Sequence, residues 1–234
     1  MISKSNIAIG YRQAIDLLRD VGLFKCENIS RKMNYSKNKF SKEFIHVSQS
    51  NSYREIYDIA MQKGDYDILL QDNSFFQFSY EHDNESFLSI RYAYYNAPYD
   101  IISYKEFLEN EGFLYNEVHD EFLEIYDQYI TEAELKNQVI PLRYDYDTIA
   151  YRPIVHASSH MHIGHNNDIR IPCDKIILPQ TFVSFVLKHV YFNKYKEKIK
   201  EEQFKENYLK KISCSGKFKS TLDDEEKKDI YLCL

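Results

Sequence analysis

The chain of 234 residues has 30 basic and 36 acidic residues, a formal net charge of −6 at pH 7, and 44% hydrophobic residues. This composition excludes a disordered chain and a protein that binds nucleic acid through an overall positive charge, although it leaves room for a local basic patch. Because no apolar run approaches the ~20 residues that a membrane span requires, we expect a cytoplasmic protein that does not contact a membrane.

The N-terminal part of the chain predicts two helices with a polar segment between them. In the first helix, apolar residues recur at helical spacing from a candidate N-cap at Ser5 to a stop at Gly22. The second helix is predicted from Ser52 to Gly64. The polar segment, residues 26–50, predicts a loop with short ordered pieces.

The middle of the chain changes to the period of strands. Residues 65–71, 74–80 and 86–95 are rich in aromatic and β-branched side chains, and the third segment alternates apolar with small or polar residues. We expect these segments to form an antiparallel meander. A helical stretch broken near Gly112 is predicted for residues 103–136.

A second β region begins at residues 139–147. Further short strands are predicted at 151–156, 159–164 and 168–172, and a C-terminal helix beginning at 181 is expected to continue to about residue 209. The predicted fold class is α+β, an antiparallel sheet with N-terminal, middle and C-terminal helices packed on it. Residues 1–212 are expected to form a single domain and 213–234 a tail that is partly ordered.

Histidines are concentrated in one segment of the second β region. Of the 8 histidines, His156, His160, His162 and His165 fall within ten positions. Since residues i and i+2 of a strand face the same side, His160 and His162 should project together. The concentration indicates a functional site rather than scattered structural histidines.

The preceding predicted strand has a matching pattern of charges. Arg143, Asp145 and Asp147 alternate along it and should share one face. If the two strands are neighbours, the His-x-His pair lies opposite the Arg-x-Asp-x-Asp series. Arg152, Asp168 and Arg170 add charge of both signs nearby.

Three chemistries fit this cluster of residue types. The imidazoles of His156, His160 and His162 can bind a divalent metal such as zinc, manganese, iron or magnesium, with Asp147 or His165 completing the shell. Alternatively, His160 and His162 act as general acid and base without a metal while an arginine stabilises phosphate charge, the logic of RNA cleavage through the 2′-hydroxyl. In the third, carboxylates hold the metal and a histidine activates water.

Several strings resemble a bacterial family of uncharacterised proteins that contain a domain of unknown function. They are LRYDYD, VHASSHMHIG, DIRIPC and TFVSFVLKHVYF, preceded by FFQFSY and SIRYAYYNAP, and they span roughly residues 65–192. The chain is also similar to small toxin-like proteins that combine an Arg/Asp strand with a His-x-His pair. That similarity implies catalytic roles for Arg143, Asp147, His160 and His162. Ala157 stands where the family is expected to have proline.

The leading functional hypothesis is a nuclease or phosphodiesterase that acts as an effector in a toxin–antitoxin or phage-defence operon, with nucleic acid as substrate. The alternative is a non-catalytic, protein-binding subunit of such a defence complex, which docks an operon-encoded partner through its aromatic strands or C-terminal helix. A third hypothesis is that the histidine cluster binds a metal ion with a purely structural role.

Overall fold

The structure, a computed structural model, describes residues 2–31, 39–49, 52–82, 87–99, 101–132, 139–165, 169–213 and 220–229. The strands are β1 (Phe24–Glu27), β2 (Ile68–Leu70), β3 (Phe75–His82), β4 (Phe87–Tyr95), β5 (Leu142–Asp147), β6 (Ser159–Ile163) and β7 (Ile169–Pro172). The helices within these residues are α1 (Lys4–Asp20), α2 (Lys42–Val47), α3 (Tyr53–Lys63), α4 (Tyr104–Asn110), α5 (Tyr115–Val118), α6 (Leu123–Glu132), α7 (Pro179–His189), α8 (Phe192–Lys198), α9 (Glu202–Ser213) and α10 (Asp224–Asp229).

The seven strands form one antiparallel sheet in which each strand lies beside its neighbour in sequence. The predicted α+β class and the antiparallel meander are therefore confirmed. The order also makes β5 and β6 neighbours, which brings the Arg/Asp series next to the His-x-His pair.

The helix predicted from Ser52 to Gly64 is confirmed, because Ser52 accepts the Glu55 N–H and Gly64 ends the helix with φ 64°. The predicted cap of the first helix was wrong. Ser3, not Ser5, is the N-cap, and it forms a reciprocal pair of hydrogen bonds with Asn6.

Other boundaries also differ from the predictions. Residues 151–156 form a tight turn closed by a bridge between Arg152 and His156, not a strand. The long C-terminal helix is interrupted and becomes α7, α8 and α9, and the middle helical stretch divides into α4, α5 and α6. In the described part of residues 26–50, for which a loop with short ordered pieces was predicted, the ordered pieces include the end of β1 and the whole of α2.

Alternation along the strands gives the sheet two different faces. One face packs its aromatic residues against α1, α7 and α9, forming a core that includes the buried side chains of Tyr92, Tyr144 and Phe182. On the opposite face, α2 and α3 pack at the β1–β3 side, where Tyr57 contacts Phe75. The polar side chains of β4 to β7 lie on this second face, beyond the helices that cover the other strands.

Candidate functional site

Polar side chains from β4, β5 and β6 form two adjacent rows on this face. The first row pairs Arg91 with Asp145 and Asp145 with His160 across neighbouring strands. The second pairs Arg143 with His162. Antiparallel partners lie directly opposite one another, so register alone brings together five groups from distant parts of the sequence.

Asp145 is the centre of the cluster. Arg91 donates its Nε–H to Oδ1 at 2.7 Å, and Arg143 donates its Nε–H to Oδ2 at 2.8 Å. The Nε2 atom of His162 lies 3.2 Å from the same Oδ2. One buried carboxylate is thus surrounded by three donors, two of them permanently charged.

These donors keep Asp145 ionised. Burial alone would raise the pKa of its carboxyl group, but the hydrogen bond from His162 and the positive charges of Arg91 and Arg143 outweigh burial. The pKa of Asp145 is consequently held well below its usual range.

His160 has a defined tautomer. Its Nδ1 lies 2.8 Å from the Ala157 carbonyl oxygen, which can only accept, so Nδ1 carries the hydrogen and Nε2 carries the lone pair. Burial lowers the pKa of His160 to about 4, against the opposing effect of the Ala157 carbonyl. The ring is therefore neutral at pH 7, and its Nε2 is unprotonated.

Three imidazoles stand in a row along this part of the face. The ring centroids of His156 and His160 are 4.8 Å apart, those of His160 and His162 are 4.7 Å apart, and both pairs meet edge to face. The Nδ1 atoms of His156 and His162 are buried without a hydrogen-bond partner among the described residues. Buried unpaired nitrogens are uncommon in folded proteins and are typical of sites that bind something further.

Two pockets adjoin the row of histidines. The arginine pocket, of about 170 Å³, contains Asp145 together with Arg91, Arg143 and Arg170. The apolar pocket, of about 220 Å³, is formed by the side chains of Ile154, Val155, Ala157, Pro172 and Leu222, with Glu226 also in its wall. His156, His160 and Arg170 line both pockets, so the two pockets are adjacent and share these residues as a common wall.

Of the predicted site residues, Arg143, His156, His160 and His162 lie together in the arginine pocket, and Asp147 also lines this pocket. The Asp147 carboxylate, however, accepts the backbone N–H groups of Ile149 and Ala150.

His165 lies outside the row, with its ring against Tyr53. Arg152 is exposed on the turn that precedes His156, and Asp168 lies outside the described residues.

Sequence reasoning missed Arg91 and Glu226. Arg91 alternates with Ile90 and Tyr92 in a half-buried strand, so the sequence does predict that its side chain lies on the polar face of the sheet. Its partner Asp145, however, is 54 residues away in the sequence. Glu226 lies in the segment expected to be a tail, where nothing in the sequence indicates that residues 220–229 pack beside the site. There Thr221 binds the backbone of Asp174 and Glu226 is buried.

Asp145, His160 and His162 have ligand atoms within 4.8 Å of one another, a separation that suits a metal ion. The donor set fits a metal poorly, because both oxygens of Asp145 already accept hydrogen bonds from arginine. A cation there would also have to lie close to two guanidinium charges. The same arrangement favours an anion.

A family described as "Uncharacterized conserved protein (DUF2290)" has a model that matches residues 23–234. No curated protein and no solved structure matches the chain significantly. In the part of the chain that the structure describes, no helix is both long enough and apolar enough to cross a membrane.

Proposed function

The chain belongs to the DUF2290 family, and we propose that it is a metal-independent ribonuclease in which His160 is the general base. The observation that carries the proposal is the unprotonated Nε2 of a neutral His160 on the wall of a pocket lined by three arginines. Cleavage of RNA through its own 2′-hydroxyl requires a base beside that hydroxyl and positive charge beside the phosphate. Both requirements are met within one small pocket.

The arginine pocket is suited to a phosphate group. Among the described residues, Asp145 is the hydrogen-bond partner of both Arg91 and Arg143, through Nε in each case. A guanidinium has five N–H donors, so most donors of both remain for a ligand. Arg170 adds a third positive charge, and within the described residues it has no carboxylate partner.

Proton transfer in the proposed reaction uses the two histidines that line both pockets. The Nε2 lone pair of His160 accepts the proton of the 2′-hydroxyl while that oxygen attacks the phosphorus. The bond to the 5′-oxygen then breaks, and His156 donates a proton to this leaving group. The arginines stabilise the charge on the phosphate oxygens in the transition state.

Asp145 and His162 are positioning residues in this proposal. Asp145 fixes the directions of both arginines, and His162 donates its Nε2–H to Asp145 from an almost completely buried ring. Because its Nε2 is engaged with Asp145, His162 is less suited to exchange a proton with substrate than His160, whose Nε2 is not used by its contact with Ala157.

The direct test is cleavage of a labelled RNA in excess EDTA by the wild type, by His160→Ala and by the control His46→Ala. His46 is exposed on α2, outside both pockets. We expect a loss of about 10²- to 10⁴-fold for His160→Ala and none for His46→Ala. Loss of all activity in EDTA, or an active His160→Ala protein, would contradict the proposal.

We also propose the cellular setting suggested by the sequence, an effector of a toxin–antitoxin or phage-defence operon. Its test is growth after induction, with equal soluble levels of each protein verified by blotting. Arrest by the wild type and normal growth with His160→Ala support the setting, whereas normal growth with both argues against toxicity.

A second proposal is that residues 104–132 dock a protein partner encoded in the same operon. The supporting observation is α6, which buries none of its side chains and exposes Leu123 and Ile125, with Leu114 exposed nearby. Co-purification with an operon neighbour that is lost in Ile125→Asp but kept in the matched surface variant Glu124→Lys would support this role. Unchanged co-purification in Ile125→Asp would exclude this helix as the contact.

A further inference from the structure

We propose that the apolar pocket is a subsite for a guanine base, which would place the phosphate attached to that nucleoside in the arginine pocket. This inference rests on the proposed ribonuclease function and adds a substrate preference to it. It depends on the adjacency of the two pockets, on the buried carboxylate of Glu226 and on the conformation of the turn at residues 152–156.

The two pockets have complementary characters. Most residues that line the apolar pocket are aliphatic, whereas most residues that line the arginine pocket are charged or polar. A nucleotide has the same division, because its base is flat and largely apolar on its faces while its phosphate is charged. Their shared residues, His156, His160 and Arg170, would then lie beside the ribose, where the 2′-hydroxyl reacts.

Glu226 is a buried acceptor with capacity left. Its Oε2 accepts the Tyr151 hydroxyl at 3.1 Å and the Asp223 N–H at 3.0 Å. Its Oε1 has a long contact of 3.4 Å with the Ile154 N–H. An ionised carboxylate has about four acceptor sites, so Oε1 in particular can accept a further donor from a ligand in the pocket.

Among the four RNA bases, guanine matches a carboxylate best. It presents a ring N–H and an exocyclic amino group side by side, with no acceptor between them. Adenine and cytosine place a ring acceptor next to their amino group, and the ring N–H of uracil lies between two carbonyl oxygens. Those acceptors would face the negative charge of Glu226, which disfavours the three other bases.

The turn beside the pocket has strained backbone geometry. Arg152 and His156 exchange both backbone hydrogen bonds, and between them Ile154 has φ 65°, a left-handed conformation that is rare for a β-branched residue. The side chains of Ile154 and Val155 are 59% and 84% exposed, although both line the pocket. A strained turn that holds aliphatic side chains at the mouth of a pocket is typical of a binding site.

The test is calorimetric titration of the full chain with the 3′-monophosphates of guanosine, adenosine and uridine, and with inorganic phosphate. We expect guanosine 3′-monophosphate to bind at least about 10-fold more tightly than the other two nucleotides. Glu226→Gln should reduce that preference to less than about threefold and leave the affinity for inorganic phosphate unchanged.

Two further variants separate recognition from folding. Tyr151→Phe removes one hydrogen bond to the same carboxylate but keeps its charge, so it should retain the guanine preference. Glu226→Asp keeps the charge but withdraws it by one methylene, so it should lose the preference. Folding of each variant is checked by circular dichroism before titration.

The outcomes distinguish this inference from the proposed function. Equal binding of the three nucleotides, or a guanine preference that survives Glu226→Gln, overturns the subsite. Binding of phosphate without base preference leaves the ribonuclease proposal standing. Guanosine binding without measurable phosphate binding would support the subsite and contradict the phosphate pocket.

Discussion

Removal of the charge of Asp145 should destabilise the protein far more than removal of the charge of Asp147. Asp145→Asn leaves two guanidinium groups without their counter-ion and turns an amide N–H toward donors that previously met a carboxylate oxygen. The Arg91 side chain is 50% exposed and recovers much of its loss in water, whereas the buried His162 N–H does not. We expect a loss of about 2 kcal/mol, dominated by the buried group that lacks its partner.

Urea unfolding followed by circular dichroism measures this loss. With an m-value of about 3 kcal/mol per M, a loss of about 2 kcal/mol lowers the midpoint by roughly 0.7 M. The matched control is Asp147→Asn, on the same strand and face, whose side chain accepts, within the described part of the chain, the backbone N–H groups of an adjacent turn. That variant should lose less than about 1 kcal/mol. Equal midpoints for the two variants would refute the assignment of Asp145 as the electrostatic centre.

Three other predictions follow from the same geometry. The pKa of His160 is about 4 in the folded protein, against the ordinary value of 6.5 for a histidine. As pH falls, the unfolded chain therefore binds the proton first, so up to about 3 kcal/mol of stability is lost between about pH 6.5 and pH 4. His160→Gln should flatten the pH dependence of the free energy of unfolding across this window, whereas His46→Gln should not. Ile154→Gly should raise the free energy of unfolding by about 1 kcal/mol, because glycine adopts the left-handed conformation without strain. The same variant removes a side chain that lines the apolar pocket, so calorimetry should show weaker binding of guanosine 3′-monophosphate. A destabilised Ile154→Gly protein would argue against strain at this residue. Arg143→Lys should lower kcat/KM for RNA by about 10-fold or more, because a lysine cannot replace the directed donors of a guanidinium. An unchanged kcat/KM would exclude a role for Arg143 in binding the phosphate.

The geometry of the site was predictable where it depends on strand period and on nearness in sequence. His160 and His162 share a face because they are two residues apart, and β6 lies beside β5 because a short connection joins them. The alternation of side chains along a strand cannot show whether Asp145 or Asp147 binds the arginines, since both side chains point to the same side of β5. The register that places Asp145 opposite His160 depends on the connection between β5 and β6, where residues 152–156 form a turn and not the predicted strand.

Other parts depend on contacts between distant segments. Arg91 reaches Asp145 only because β4 is the other neighbour of β5. Glu226 reaches the apolar pocket because residues 220–222 dock against the backbone after β7, through a bridge between Lys175 and Ser220. The charged composition of that segment gives no hydrophobic period that would have predicted it. The bounds of α2 were not predictable for the same reason, since this short helix lies in a Lys/Ser/Asn-rich stretch that predicts only a loop with short ordered pieces.

The most direct test of the central claim uses an oligodeoxynucleotide that contains one ribonucleotide of each base, incubated with the full chain in excess EDTA and analysed by mass spectrometry. We expect the wild type, and not His160→Ala, to cleave only on the 3′ side of ribonucleotides and to leave 2′,3′-cyclic phosphate ends. Cleavage at deoxynucleotides, products with 5′-phosphate ends, or activity that appears only when a divalent metal is restored would contradict it.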